Sequence, residues 1–403
     1  MSNIESSNAD MNLVDIKNIS AVKIVDNIII EAVKRKSSDI HIEPFEKYVK
    51  IRFRIDGHLY EYKRFPFEIY ESLALRIKVI ANIDIAEKRL PKDGRIIEKI
   101  DDNEFDFRVS TLPSIFGEKI VIRILNRNNV IIDKGQLGLK KTEIKIIDKI
   151  LRSSNGMLFI TGPTGSGKTT TLYTLIKEIN LDDKNIVTVE DPVEYMIDGV
   201  NQVNINVKSG LTFTSILRAI LRQDPDVIMI GEIRDSETAE IAVRAAITGH
   251  LVLSTLHTYN CVSTIIRLID MGIEPYLIAA SISGIVSQRL VRKICPYCQE
   301  EYEAGNYEKY MLGIEMNEKA KLYRGRGCAK CNYTGYKDRT GVFEVLEISN
   351  EIREAIITCK NINDLKKLCV DRGMVTLENS CKDMVLHGLT TIDEYLRIVN
   401  KEE

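Results

Sequence analysis

The chain has 403 residues, which is room for two or three domains rather than one. Its 56 basic and 58 acidic residues leave a formal charge of −2, without the basic excess that a dedicated nucleic-acid binder sets against phosphate backbones. With 44% hydrophobic and 28% charged residues it reads as an ordinary folded protein, and its 8 cysteines are too sparse for a disulfide scaffold, so clustered ones point to metal or thiol chemistry.

In chain order, the polar start Met1–Asp10 has neither a basic nor an apolar leader segment, and no later apolar run approaches the ~18 residues of a membrane helix; a cytosolic chain is expected. Residues 1–18 read as a tail. Ile19–Lys36 carries Val22, Val25, Ile29, Ala32 and Val33 near helical spacing. Period-two alternation follows in Ser37–Glu43 and Val49–Tyr62, with Val49, Ile51, Phe53 and Ile55 on one face, Lys50, Arg52 and Arg54 on the other, and Asp56-Gly57 as the hairpin turn. A helix near Phe67–Ile83 leads to Asp93-Gly94, read as another turn, and then to strands around Phe105–Ser110 and Lys119–Leu125. Residues 19–129 are thus expected to form one α+β domain, and 130–138 a linker.

From Lys141–Ser153 onward, helices and strands alternate: Met157–Thr161, a helix to Asn180, Ile186–Glu190, a helix from Thr214 to Arg222, Val227–Ile230, a helix from Glu237 to Thr248, and Leu251–Thr255. That order implies a mostly parallel sheet covered on both faces, the α/β class. Residues 139–403 are expected to form this second domain, with a cysteine-bearing insert at 292–341 and a helical end at 350–403.

Gly162-Pro163-Thr164-Gly165-Ser166-Gly167-Lys168-Thr169-Thr170 fits the phosphate-loop pattern between an apolar strand and a helix. Glycines let backbone N–H groups wrap a phosphate, Lys168 reaches the terminal phosphates and Thr169 can ligand Mg²⁺. Glu190, in the acidic run at the end of the next strand, either orients the attacking water or belongs to a helix-capping acid cluster. Val227–Ile230 is an apolar strand followed by Gly231-Glu232; glycine stands where an Asp usually holds Mg²⁺, so Glu232 is the metal-side candidate, partly through water. His257 lies past another strand end and can sense a γ-phosphate, whereas His250 precedes that strand and is expected to be structural or interfacial. Cys295-Pro-Tyr-Cys298 and Cys328-Ala-Lys-Cys331 offer four thiolates for structural Zn²⁺, with reduced thiols or a redox pair as alternatives; the intervening Gln299–Gly327 reads as charged and loop-like. Cys261, Cys359, Cys369 and Cys381 read as packing residues. Arg108 and Arg123, on consecutive strands, and Arg218 and Arg222, at i, i+4 on one helix face, are surface charges or ion-pair partners unless a triphosphate gives them a use.

Together these elements resemble the secretion ATPase superfamily, and within it the assembly ATPases of type II secretion systems and type IV pili. The resemblance rests on Ser38-Asp-Ile-His-Ile-Glu-Pro44, the phosphate loop, Glu190-Asp-Pro-Val-Glu194, Gly231-Glu-Ile-Arg-Asp235, and Thr248 through His257, and it runs from about Ile19 to Val399. It implies a RecA-like ATPase domain, a smaller α+β domain covering the nucleotide, a tetracysteine zinc insert, and a homo-hexamer using ATP, Mg²⁺ and Zn²⁺. It makes Glu190 the general base, Glu232 the metal-side acid and His257 the γ-phosphate sensor, with Arg108, Arg123, Arg218 and Arg222 completing sites within or between subunits. The partner it implies is an inner-membrane platform protein, with pilin-like subunits acted on indirectly, membrane association through partners and no direct nucleic acid. Alternatives are a DNA-uptake or conjugative motor and, in another class, a nucleotide-regulated adaptor with little turnover. Two departures stand out: the first 18 residues are too short for the further N-terminal domain of many relatives, and Thr-Tyr-Asn-Cys261 follows His257 where Thr-Asn-Asp-Ala is common.

Overall fold

A computed structural model describes residues 20–126, 133–358 and 361–399. The chain divides into two compact units, Met1–Asn129 and Val130–Glu403. Helix α1 (Ala21–Lys34) starts at Ser20, whose hydroxyl accepts from the Val22 amide at 3.2 Å. Its buried stripe is Ile24, Val25, Ile28, Ile29 and Ala32, while Val22 is exposed. The expected stripe was therefore rotated at its start, because a helix this rich in Ile and Val satisfies two overlapping i, i+3/i+4 series.

Strands β1 (Asp39–Pro44), β2 (Tyr48–Ile55) and β3 (His58–Pro66) precede α2 (Tyr70–Ile80), and β4 (Lys92–Ile100), β5 (Asn103–Ser114) and β6 (Gly117–Asn126) follow it. They form a six-stranded antiparallel sheet in the order β3-β2-β1-β6-β5-β4. Phe105, Phe107 and Val109 share one apolar cluster with Ile51, Phe53, Ile120 and Ile122 and with both helices. The opposite face is ionic, as expected of a one-sided antiparallel sheet: Glu43 takes Arg52 and Lys119 at 2.7 and 2.8 Å.

Asp93-Gly94 is not a turn but lies inside β4, opposite Ser110 and Val109. The glycine answers to crowding, since a Cβ on Gly94 would meet the Ala81 carbonyl oxygen at 2.4 Å and Ile83 Cγ1 at 2.5 Å. The actual reversal is Asp101-Asp102, both at positive φ.

The second unit opens with α3 (Lys134–Leu137), so the described part of the expected linker is folded: Asp133 accepts from the Gly135 amide at 2.8 Å, and Lys134 pairs with Asp148 and Glu178. Helix α4 (Lys141–Leu151) then leads into β7 (Gly156–Thr161), α5 (Lys168–Ile179), β8 (Ile186–Glu190), β9 (Asn201–Asn204), α6 (Phe213–Ile220), β10 (Val227–Ile230), α7 (Ser236–Ile247), β11 (Leu251–Leu256), α8 (Cys261–Asp270), α9 (Pro275–Ser281) and β12 (Ile282–Ile294). After β13 (Gln299–Glu303), α10 (Asn306–Met311) and β14 (Lys321–Gly325), strand β15 (Tyr336–Glu347) returns along β12. The seven-stranded sheet runs β15-β12-β7-β11-β10-β8-β9, parallel except for the β12–β15 edge pair. Both faces are covered: Met157 and Phe159 of β7 enter one apolar cluster, Leu158 and Ile160 the other. This burial explains why the strands read as short continuous apolar runs.

Gln299–Gly327, expected to be loop-like, instead holds the β13–β14 hairpin and α10. Its charges pair across the hairpin, Arg324 with Glu300 at 2.7 Å and Lys321 with Glu301 at 2.6 Å. Helices α11 (Asn350–Thr358), α12 (Ile362–Asp371), α13 (Leu377–Leu386) and α14 (Ile392–Val399) end the chain. Leu322 of the hairpin, Val291 and Val342 of the long strands, and Leu377, Val385 and Tyr395 of α13 and α14 form one apolar cluster. The insert therefore shares its core with the chain's end. Arg292 and Glu394 join them in a buried pair at 2.8 Å. Cys261, Cys369 and Cys381 are fully buried packing residues, while Cys359 lies outside the described residues, as do 1–18.

Candidate nucleotide site and cysteine cluster

In an open parallel sheet, ligands meet the carboxyl ends of the strands. At those ends of β7, β8, β10 and β11 stand the phosphate loop, Glu190, Gly231-Glu232 and His257. Strand β11 lies between β7 and β10, which sets His257 between the phosphate loop and Glu232.

Gly162, Gly165 and Gly167 all have positive φ, and Gly167 is the N-cap of α5. Thr164 and Gly165 are exposed at the loop tip, Pro163 is half-buried and Ser166 is buried. Lys168 is the first residue of α5 and donates to the carbonyls of Gly162 and Pro163 at 2.8 and 3.2 Å. Burial lowers its ammonium to about 8; Glu232 pulls it upward and Arg289 pushes it down. Thr169 and Thr170 follow it in the first turn.

Glu232 sits between the Arg234 guanidinium at 2.5 Å and the His257 imidazole Nε2 at 3.5 Å. Burial, Lys168 and Arg234 lower His257, against the pull of Glu232, so the imidazole is neutral at pH 7. Gly231, the departure from the common acidic strand end, stands close to β8: a Cβ there would lie 3.3 Å from the Val189 carbonyl oxygen and 3.4 Å from Glu190 Cα. Thr255 Oγ1 donates to the Gly231 carbonyl at 2.6 Å, tying the Glu232 turn to β11.

Glu190 is buried, and its carboxylate accepts from Thr188 Oγ1 at 2.6 Å, from Gln202 Nε2 at 3.1 Å and from the Tyr173 hydroxyl. Burial, reinforced by Glu190, keeps the Tyr173 phenol protonated and hence a donor. Tyr173 and Gln202 are partners that no motif spacing announced. His250 bonds the Ala245 carbonyl through Nδ1 at 3.0 Å, a structural contact and one of the two places expected for it. After His257, Asn260 caps α8 by accepting from the Ser263 amide at 2.8 Å, so this departure keeps a side-chain N-cap.

The arginines fall into two pairs. Arg108 stands in register between Arg123 and Arg95. Arg123 pairs with Asp39 at 3.2 Å and Arg95 with Asp106 at 2.6 Å; Arg108 makes no hydrogen bond or ion pair among the described residues. Arg218 and Arg222 do not share a helix face, because α6 ends at Ile220 with Leu221 as its C-cap. Past that end the Arg222 guanidinium turns back to the Arg218 carbonyl at 2.8 Å, while Arg218 pairs with Glu237 at 2.8 Å.

The four cysteine sulfurs lie within 4.8 Å of one another. Cys295–Cys328 and Cys298–Cys331 are 3.9 Å apart and Cys328–Cys331 3.7 Å. A tetrahedron with Zn–S of about 2.3 Å has S···S edges of about 3.8 Å, so the residues fit a closed zinc site. At Cys331 the effect of burial is outweighed by the amides of Cys328 and Gly335 and by neighbouring thiols, which bring it down to about 6. The Thr169 hydroxyl and the Glu232 carboxylate are oxygen groups of the kind a hard cation such as Mg²⁺ takes.

The family model described as type II/IV secretion system protein matches residues 16–397. The chain belongs to this family. Relatives in the secretion family include the type II secretion system protein E of Aeromonas hydrophila, 46% identical over 94% of this chain and 76% of that one. The type IV pilus assembly ATPase PilB of Myxococcus xanthus is 44% identical over 93% of this chain and 67% of its own length. Among solved structures, the pilus retraction motor PilT with bound ADP is 28% identical, with a TM-score of 0.62 over 93% of this chain and 96% of that one. The Legionella pneumophila ATPase DotB has the same fold, with a TM-score of 0.70 over 95% of this chain and 96% of that one at 22% identity. Secretion-family membership and these folds agree with the RecA-like α/β domain and the smaller α+β unit, and the structure itself carries the tetracysteine cluster.

Proposed function

We propose that this chain hydrolyses ATP to power assembly of a type IV pilus or a type II secretion pseudopilus, working as a homo-hexamer at the cytoplasmic face of an inner membrane. The ATP hydrolase activity itself follows from the family. The observation that carries the reading is the gathering of Lys168, Glu190, Glu232 and His257 at adjacent strand ends, in a chain similar to a secretion protein E and to PilB. No helix among the described residues is long and apolar enough to cross a membrane, so attachment is proposed to run through an inner-membrane platform protein, which in turn acts on pilin-like subunits.

In this reading, residues 162–170 hold the triphosphate, and Thr169 and Glu232 would hold a Mg²⁺ that would supply charge neutralisation at its phosphates. Glu190 takes the proton of the attacking water, and neutral His257 donates to the γ-phosphate. Arg108, Arg123, Arg218 and Arg222 offset the charge that develops in the assembled ring. Zn²⁺ on Cys295, Cys298, Cys328 and Cys331 is structural. A deletion strain scored for surface pili, secreted proteins and DNA uptake tests the machine: loss of pili or of secretion alone supports the proposal, and loss of DNA uptake with both intact contradicts it.

Two expected results arise from the site. A triphosphate beside Lys168 favours the ammonium form, so ATP binding should take up protons and weaken as pH rises above about 8. Calorimetry at about pH 9 in two buffers of different ionisation enthalpy measures that uptake, and zero uptake would contradict it. Metal analysis of freshly reduced protein should find about one zinc per chain. On stripping it, hydrogen exchange should rise at 295–298 and 326–335 while α13 and α14 stay protected, because their apolar cluster uses none of the four ligands. Protein without zinc, or uniform loosening of the whole module, counts against this.

A further inference from the structure

Strand β12 lies beside β7 with Ser287 opposite Thr161, so Gln288 and Arg289 stand past the end of β7, against the phosphate loop. Gln288 is 1% exposed and its Nε2 donates to the Ser166 carbonyl at 2.7 Å. Its backbone presses on the same loop: a Cβ on Gly162 would sit 2.5 Å from the Gln288 carbonyl oxygen, and one on Gly167 would sit 3.2 Å from Gln288 Nε2. Two of the loop's glycines thus answer to β12 as well as to a phosphate.

The neighbouring side chains reach the other loop. Arg289, 7% exposed, donates through Nη1 to the Gln288 carbonyl at 3.0 Å and through Nη2 to the Tyr259 carbonyl at 2.7 Å. Ser287 Oγ donates to the same Tyr259 carbonyl at 3.2 Å. Tyr259 is two residues beyond His257, and farther on Glu344 of β15 accepts from the Cys261 amide at 2.7 Å. Three consecutive residues of β12, all paired with β15 and the first of them also opposite β7, therefore grip the phosphate loop on one side and the His257 loop on the other.

We propose that Arg289, supported by Ser287 and Gln288, is a positioning residue that sets the His257 loop against the phosphate loop so that His257 meets the terminal phosphate in the geometry turnover requires. The proposal rests on the reading of His257 given above. A guanidinium can bridge the Gln288 and Tyr259 carbonyls at once; a lysine keeps the charge but not that fixed fork. Small displacements of a reacting group cost rate more than ground-state binding.

The test is steady-state ATP hydrolysis by the full chain carrying Arg289→Lys, His257→Ala or both. Arg289→Lys is expected to lower kcat about tenfold and to change KM less than about threefold, the loss of one charged hydrogen bond made through the loop. In the His257→Ala background the same change should cost less than about twofold, since residues acting as a unit are not additive. Ser287→Ala, a smaller perturbation, should repeat the pattern with about a threefold loss, and serves if the arginine variant does not fold. An Arg289→Lys loss that multiplies fully in both backgrounds, or one confined to KM, overturns the brace while leaving His257's role intact. Unchanged turnover with His257→Ala alone overturns that role and the brace with it.

Discussion

Replacing Glu190 with glutamine should lower ATP turnover about 10²–10⁴-fold while ATP affinity stays within about threefold. The substitution keeps the side chain's size and removes the proton acceptor. None of the partners of Glu190 belongs to the phosphate loop: Thr188 is on its own strand, Gln202 on the neighbouring edge strand and Tyr173 in the second turn of α5. Because the same carboxylate ties β8 to α5, a structural role must be separated from a catalytic one. Tyr173→Phe removes that tie and leaves the base, so it should lower the melting temperature more than the turnover. If Glu190→Gln kept a third or more of wild-type turnover, Glu190 would be a packing acid and not the base.

The second large effect belongs to Arg218. Its pair with Glu237 is exposed on both sides, 60% and 57%, and pairs of that kind add little to stability. Arg218→Ala should therefore fold normally yet lose about 10³-fold in turnover, with ATP affinity changed less than about fivefold. Glu237→Ala, which removes the partner and keeps the guanidinium, should stay near wild type. Mixed rings of Arg218→Ala and Lys168→Ala subunits should regain turnover if the arginine serves a neighbour's nucleotide, because some interfaces then pair an intact lysine with an intact arginine. Unchanged turnover of assembled Arg218→Ala protein contradicts the role outright.

Much of the motor unit was readable because its parallel strands are buried on both faces and stand out as runs such as Val227–Ile230 between helical stretches. Legibility failed where a residue had two possible reasons to be there. Gly94 looked like a turn glycine but makes room for Ala81 and Ile83, which hid β4. The charges of Gln299–Gly327 looked like a loop, but Lys321 and Arg324 pair across a hairpin. Arg218 and Arg222 matched a helix period that α6 is too short to extend.

The candidate site divides in the same way. Lys168, Glu232 and His257 were legible because each follows a recognisable strand with a fixed offset. Gln288 and Ser166 are 122 residues apart, and nothing local in Ser287-Gln-Arg289 marks that contact. Only the placement of β12 beside β7 brings them together.

If the strand-end acids and the phosphate loop hydrolyse ATP in the assembled protein, the acid on the metal side must matter to turnover. The measurement that tests this most directly is ATP hydrolysis by ring-forming wild-type protein beside Glu232→Gln under the same conditions. Steady turnover is expected of the wild type and a loss of about 10²-fold or more of the variant, whose amide lacks the charge a metal-side carboxylate supplies. Equal rates in the two proteins, or none in either while rings form, would contradict it.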